Sequence, residues 1–248
     1  MKFELLDGCP YTKYHVTQKD MGSACDFSMA LHTGEDSKQV MQNRGKLAEH
    51  FGEEYRFCGT RQVHGDKVFV LNSHHEMGWR DLTDAVEADA IVTNLPHMAL
   101  TILTADCVPI LLYDPIAKAI GAVHAGWKGS KSNITRKTIK TMQNQYGSRP
   151  QDIIAAIGPA IGVCCYEVGL DVAEYFVDHS EIVQPSKRKG KFQLDLKAIN
   201  GMQLLDAGLM RSNIEISDIC TACYSDIYFS YRKDSCSGRF ISAIAIKG

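Results

Sequence analysis

Between residues 89 and 125 the chain reads DAIVTN, ALTILTAD, VPILLYD and AIGAVHA in quick succession, apolar runs whose charges fall only at their ends. A strand with one wet face alternates polar and apolar residues. These segments are apolar at both parities, the pattern of strands covered on both sides. They predict a central sheet between other layers, so the rest of the chain must supply the covering elements.

Several segments can do so. Residues 37–51 carry helical periodicity, with Val40, Leu47 and Phe51 on one face and Gly52 at the end. SNITRKTIKTMQNQYG predicts a second helix, with Ser132 as N-cap, Ile134, Thr138 and Met142 inward, and Gly147 past its end. Further helices are expected over 170–176 and 195–207, the latter stopped by Gly208. Residues 58–71 read as a strand, a turn at His64-Gly65-Asp66 and a second strand, and PQDIIAAIGP as another buried strand. The C-terminal strands are placed near IEISDIC, IYFSYR and RFISAIAIKG, while the rest of the polar first third has no assignable pattern. No fixed-period repeat and no Gly/Ser- or Pro-rich linker divides the 248 residues, so residues 1–248 are expected to form one α/β domain.

Composition narrows the partners. A net charge of −2 and a pI near 6.5 give no basic field to gather nucleic acid or an anionic membrane surface, which leaves a small molecule as the expected partner. Lys2, Glu4 and Asp7 interrupt the start of the chain, so no signal-peptide apolar region forms there, and no run is long enough to span a bilayer. Nine cysteines, an odd number without a secretory signal, read as reduced thiols or ligands, and the expected compartment is the cytoplasm. Nothing in the sequence chooses between monomer and homodimer.

Chemistry-bearing residues stand where the apolar strands end. His64 lies in RQVHG, Asp106 and Cys107 in ADC, and His124 in VHAGWKG. One thiolate and two imidazoles suit a borderline-soft ion such as zinc, and three protein ligands leave a fourth position open, as in catalytic sites. The same residues admit a metal-free reading, with Cys107 as nucleophile, His124 as its base and Asp106 as the orienting group. Adjacent strand residues point to opposite faces, so that reading needs a turn or bulge near Pro109. A third reading is plain packing: a buried cysteine and two hydrogen-bonded histidines. The Cys220-Thr-Ala-Cys223 pair reads as structural because no second CxxC accompanies it. Cys164-Cys165 follow IGPAIGV, a strand-ending turn or, less simply, an anion-binding one. Arg44, Arg61, Lys128 and Arg232 each lie near a motif and are candidates for phosphate, and His74 and His75 are expected in an exposed loop.

Taken together, RQVHG, DAIVTN, TADCVPILLYD, AVHAGWKGS, IGPAIGVCCYEVG, and SYRKD with GRFISAIAI resemble the successive blocks of the laccase-domain, YfiH-like family of purine nucleoside phosphorylases, formerly named polyphenol oxidases. The blocks run in the family order from about Arg44 to the end of the chain. The resemblance implies a single-domain four-layer α/β/β/α sandwich with mixed sheets and one zinc held by His64, Cys107 and His124. It also implies phosphorolysis of adenosine, inosine, guanosine and methylthioadenosine, with adenosine deamination, so the partners would be purine nucleosides and phosphate. Asp106, with Arg44, Arg61, Gln62, Lys128 and Arg232 as substrate-binding candidates, follows only from position within or beside the matching blocks. VTQKDMGSACDFSMALHTGED lacks the glycine pair and asparagine of the family's early block, so no substrate contact is carried over there. Copper and phenol oxidation are disfavoured, because a multicopper site is rich in His-x-His pairs and none of the 9 histidines forms one. A metal-free Cys/His hydrolase or amidase and a non-catalytic or peptidoglycan-precursor-editing protein stay as alternatives.

Overall fold

The computed structural model describes residues 1–177 and 181–248. In chain order the strands are β1 (Thr12–Val16), β2 (Arg56–Gly59), β3 (Val68–Val70), β4 (Ala90–Thr93), β5 (Met98–Thr104), β6 (Val108–Asp114), β7 (Ala119–Ala125), β8 (Ile154–Ile157), β9 (Glu167–Gly169), β10 (Val183–Pro185), β11 (Lys191–Leu194), β12 (Ile214–Ile216) and β13 (Phe240–Ile246). The longer helices are α2 (Ser37–Phe51), α4 (Ile134–Tyr146) and α6 (Leu196–Asp206), joined by the short α1 (Glu4–Asp7), α3 (Trp127–Lys131) and α5 (Leu170–Ala173). No helix among the described residues is long and apolar enough to cross a membrane.

Two mixed sheets face each other. One has the order β12-β8-β6-β7-β4-β3 and the other β1-β13-β5-β2, while β10-β11-β9 form a small separate sheet. Alternation within the doubly apolar strands decides which side chain enters which layer. Ile120 and Ala122 of β7 meet Leu100, Ile102 and Ile244 between the sheets, while Val123 and Ala125 turn to the other side. There Ile139 and Met142 of α4 and Ile199 and Leu204 of α6 cover the six-stranded sheet. Leu47 and Phe51 of α2 cover the opposite sheet through Phe57, Ala99 and Ile241. The result is the expected α/β/β/α sandwich, with β5, β6, β7 and β13 buried on both faces.

Most elements fall where the sequence puts them, and the departures have local causes. Asp36 caps α2 by accepting from the Lys38 and Gln39 N–H groups. Ser132 does not cap α4. It closes α3 instead, and Asn133, with φ of 59°, starts α4 without a side-chain cap. The strands within 58–71 do not pair with each other, because β2 joins β5 and β3 joins β4 in different sheets. IYFSYR forms turns rather than a strand: Ile227 and Tyr228 N–H groups return to Tyr224 O, and Tyr228 and Phe229 enter the inter-sheet core from a loop. The five-residue edge strand β1, paired with β13, has no counterpart in the sequence reading.

Candidate metal centre and active site

His124 shares the parity of Ile120 and Ala122, so it ends the row of β7 side chains directed between the sheets. Its neighbours at that edge come from loops. The β5–β6 connection places Cys107 after Asp106, whose φ of 91° is a left-handed conformation rare outside glycine. That break lets both residues line the same cavity, as the nucleophile reading of the sequence requires. His64 arrives from the 60–67 loop, itself with φ of 59°. The three donor atoms lie within 4.8 Å of one another, with His124 buried, Cys107 half-buried and His64 exposed. The histidine rings meet edge to face with centroids 4.8 Å apart.

Asp89, fully buried at the head of β4, organises this cluster. Its Oδ1 accepts from the His64 N–H at 2.9 Å and faces His124 Nδ1 at 2.8 Å. Its Oδ2 accepts from the N–H groups of Val63 at 3.2 Å and Gly65 at 2.7 Å. One carboxylate therefore shapes the His64 turn and turns the other imidazole nitrogen of His124 toward the cluster. Burial opposes its charge, yet the His124 imidazole and these N–H groups hold its carboxyl below the usual range. Burial would likewise raise the Cys107 thiol, but the imidazoles of His124 and His64 bring it down to about 6. His124 is disfavoured as a cation by burial and still raised to about 9 by Cys107 and Asp89. Each group thus favours the charged form of the other, the thiolate of Cys107 and the cationic imidazole of His124.

The donor set fits a zinc ion. Two imidazoles and one readily ionised thiol are its preferred ligands, an Asp–His pair supports one of them, and a glycine gives the donors room. A Cβ at Gly126 would stand 3.1 Å from both Cys107 Sγ and His64 Cδ2. Residues 15–247 match the family described as multi-copper polyphenol oxidoreductase laccase. The chain belongs to this family. It is 32% identical to the purine nucleoside phosphorylase YlmD of Bacillus subtilis, over 98% of this chain and 89% of that one. The crystal structure of YlmD from Geobacillus stearothermophilus superposes with a TM-score of 0.90 at 33% identity, covering 96% of this chain and 93% of that one. The Bacillus licheniformis protein YfiH gives 0.89 at 30% identity, covering 95% and 93%.

In this laccase-domain chain the cluster opens on a cavity of about 800 Å³. Arg61, Gln62 and Arg232 line it, as the sequence suggests, and so do His32, Tyr166 and Arg239, which it did not select. Thr60 Oγ1 and Thr104 Oγ1 are buried on the cavity wall with no hydrogen-bond partner among the described residues. Gln62 is a brace: its amide exchanges hydrogen bonds with the backbone of Leu103 at 2.7 and 2.8 Å. Arg61 pairs with Glu87 at 3.0 Å, both exposed.

Two candidates lie elsewhere. Arg44 is 1% exposed, and its guanidinium donates to Met29 O at 2.7 and 2.9 Å, to Gly78 O at 3.2 Å and to Trp79 O. It also stacks on the Trp79 ring at 4.9 Å, so it ties α2 to neighbouring loops instead of meeting phosphate. Lys128 is exposed over the Trp127 ring and is not part of the cavity wall. Asp106 does not orient His124, since Asp89 does. Its carboxylate accepts from Thr221 Oγ1 at 2.6 Å and from the Arg232 N–H at 2.7 Å, which fixes the strained turn before Cys107. Sequence reasoning missed Asp89, which stands there only as the acidic residue opening DAIVTN.

Proposed function

We propose that the protein is a zinc-dependent purine nucleoside phosphorylase, acting on adenosine, inosine, guanosine and methylthioadenosine, that also deaminates adenosine. On this reading residues 1–248 work as one catalytic domain in the reducing cytoplasm. The carrying observation is the His64, Cys107 and His124 cluster in a cavity that also holds guanidinium and aromatic groups. His64, Cys107 and His124 would hold the ion, which supplies a Lewis acid that polarises an oxygen set against it and eases loss of its proton.

The chain's own groups account for the rest. In phosphorolysis a phosphate oxygen bonds to the anomeric carbon as the bond to the purine nitrogen breaks, and the purine leaves with the electron pair and takes up a proton. Arg232 and Arg239 supply fixed positive charge to bind and orient the phosphate. Arg232 is itself held by Cys165 O at 3.3 Å and Glu167 O at 3.0 Å, which limits its rotamers. Tyr166, with Arg232 over its ring, and Trp127 bring aromatic surface to the wall for a flat purine, and Thr60 and Thr104 hydroxyls are free to meet its polar edge or the ribose. Deamination exchanges the C6 amine of adenine for a water oxygen and releases ammonia within the same wall.

The test is adenosine turnover with and without phosphate, with zinc content measured in the wild type and in Cys107→Ala. Phosphate-dependent adenine release that disappears together with about one zinc per chain in the variant supports the reading. A wild type that turns over no nucleoside refutes it. A second reading, a metal-free cysteine hydrolase, is favoured by the Cys107–His124–Asp89 alignment, and activity that survives chelation but not thiol alkylation would select it.

A further inference from the structure

The geometry points to a second metal site, which we propose is a closed four-thiolate zinc centre formed by Cys164, Cys165, Cys220 and Cys223. It is independent of the nucleoside reading. Two turns remote in sequence bring the thiols together. Cys223 Sγ lies 3.6 Å from Cys164 Sγ and 3.4 Å from Cys165 Sγ, across 59 and 58 residues, and all four sulfurs fall within 4.8 Å of one another. A tetrahedral ion with Zn–S bonds of about 2.3 Å separates its sulfurs by roughly 3.8 Å. The spacings of 3.4 and 3.6 Å fall just short of that value and the remaining ones stay within 4.8 Å, so small side-chain adjustments suffice to seat an ion.

Both turns are built to chelate. The N–H groups of Cys223 and Tyr224 converge on Cys220 O, and those of Cys165 and Tyr166 on Gly162 O. Gly162 N–H also donates to Cys220 Sγ at 3.1 Å, as backbone amides do at metal thiolates. A Cβ at Gly162 would stand 3.1 Å from Cys220 Cβ and 3.3 Å from Cys164 Sγ, so glycine is what lets the two turns approach. Packing does not explain the cluster, because Cys164 and Cys223 are exposed. All-sulfur tetrahedral sites select zinc or iron, and four protein ligands leave no open position, the arrangement of a structural ion.

The centre would brace the active-site wall. Thr221, inside the CxxC turn, donates to the Asp106 carboxylate, and Ile161, just ahead of Cys164, donates its N–H to Asp106 O at 2.9 Å. Both knuckles thus hold the left-handed residue that directs Cys107 toward His64 and His124.

The experiment measures zinc by elemental mass spectrometry on the full chain purified under reducing conditions. Wild type is expected to hold about two zinc ions per chain, and Cys164→Ser, Cys220→Ser/Cys223→Ser and His64→Ala/His124→Ala about one each. Cys164→Ser alters an exposed side chain and leaves the core intact. Should the double cysteine variant not fold, cobalt loading of His64→Ala/His124→Ala keeps the question open to decision: intense thiolate-to-cobalt charge-transfer bands are expected, and their absence overturns the site. Unchanged zinc in Cys164→Ser overturns it as well. So does iron in place of zinc, or a disulfide between the two turns in the freshly purified chain.

Discussion

Asp89→Asn keeps size and shape at the head of β4 but changes what the side chain can accept. The carboxylate takes the His64 N–H and His124 Nδ1 on one oxygen and the Val63 and Gly65 N–H groups on the other. An amide has one acceptor oxygen, so in either orientation its NH2 faces a pair of donors that lose their partner. Of the four donors only His124 Nδ1 is fully buried and the loop N–H groups are part-buried, so the loss sits at the low end for an unsatisfied donor, about 1 kcal/mol for each of the two, or roughly 2 kcal/mol of stability together. If the amide oxygen keeps the Val63 and Gly65 pair, His124 loses its orienting acceptor; if it keeps His124, the turn behind His64 loosens. Either way a ligand is misaligned, and loss of such an outer partner weakens metal binding by about 10–100-fold. Urea unfolding of the metal-free chain reads the first effect, and chelator competition for zinc reads the second. A variant that unfolds at the wild-type midpoint and binds zinc as tightly would refute the role given to Asp89.

Arg44→Met is expected to destabilise the chain by about 3 kcal/mol or more, since it orphans the carbonyls of Met29, Gly78 and Trp79; the KM for phosphate should not move, and a raised KM with unchanged stability would return Arg44 to the substrate site. Gly126→Ala fits its φ of −75° yet crowds Cys107 Sγ and His64 Cδ2, so zinc affinity should fall by about 1 kcal/mol or more, against no change if the donors are not gathered there. The His15 and His50 rings meet at a tilt of 53° with centroids 4.5 Å apart, and burial, then the His50 charge, lowers the His15 pKa from 6.5 to about 4. The unfolded chain therefore takes up this proton first as pH falls, so stability is lost between pH 6.5 and about 4, and His15→Gln should flatten that part of the stability profile measured by urea unfolding.

What the sequence made legible follows from where each signal resides. Doubly apolar runs declare burial on both faces without reference to their partners, so β4 to β7 and the sandwich around them could be read directly. His64, Cys107 and His124 could be read too, because a metal-binding residue closing an apolar strand contradicts its surroundings. Asp89 sends no such contradiction: an acid opening a strand looks solvated, and only the three-dimensional return of the His64 loop, which brings three N–H donors beside His124 Nδ1, gives it four partners. Arg44 misleads for the converse reason, since an arginine is compatible with phosphate in any sequence and its actual acceptors are carbonyls of loops 15, 34 and 35 residues away. IYFSYR carries strand-like residues whose burial the turns satisfy without a ladder, so propensity there reported burial and not conformation. The four cysteines lie between these cases. Each pair alone reads as an ordinary turn, and the chemistry exists only because the bridge between Ala160 and Cys220 sets the two turns side by side.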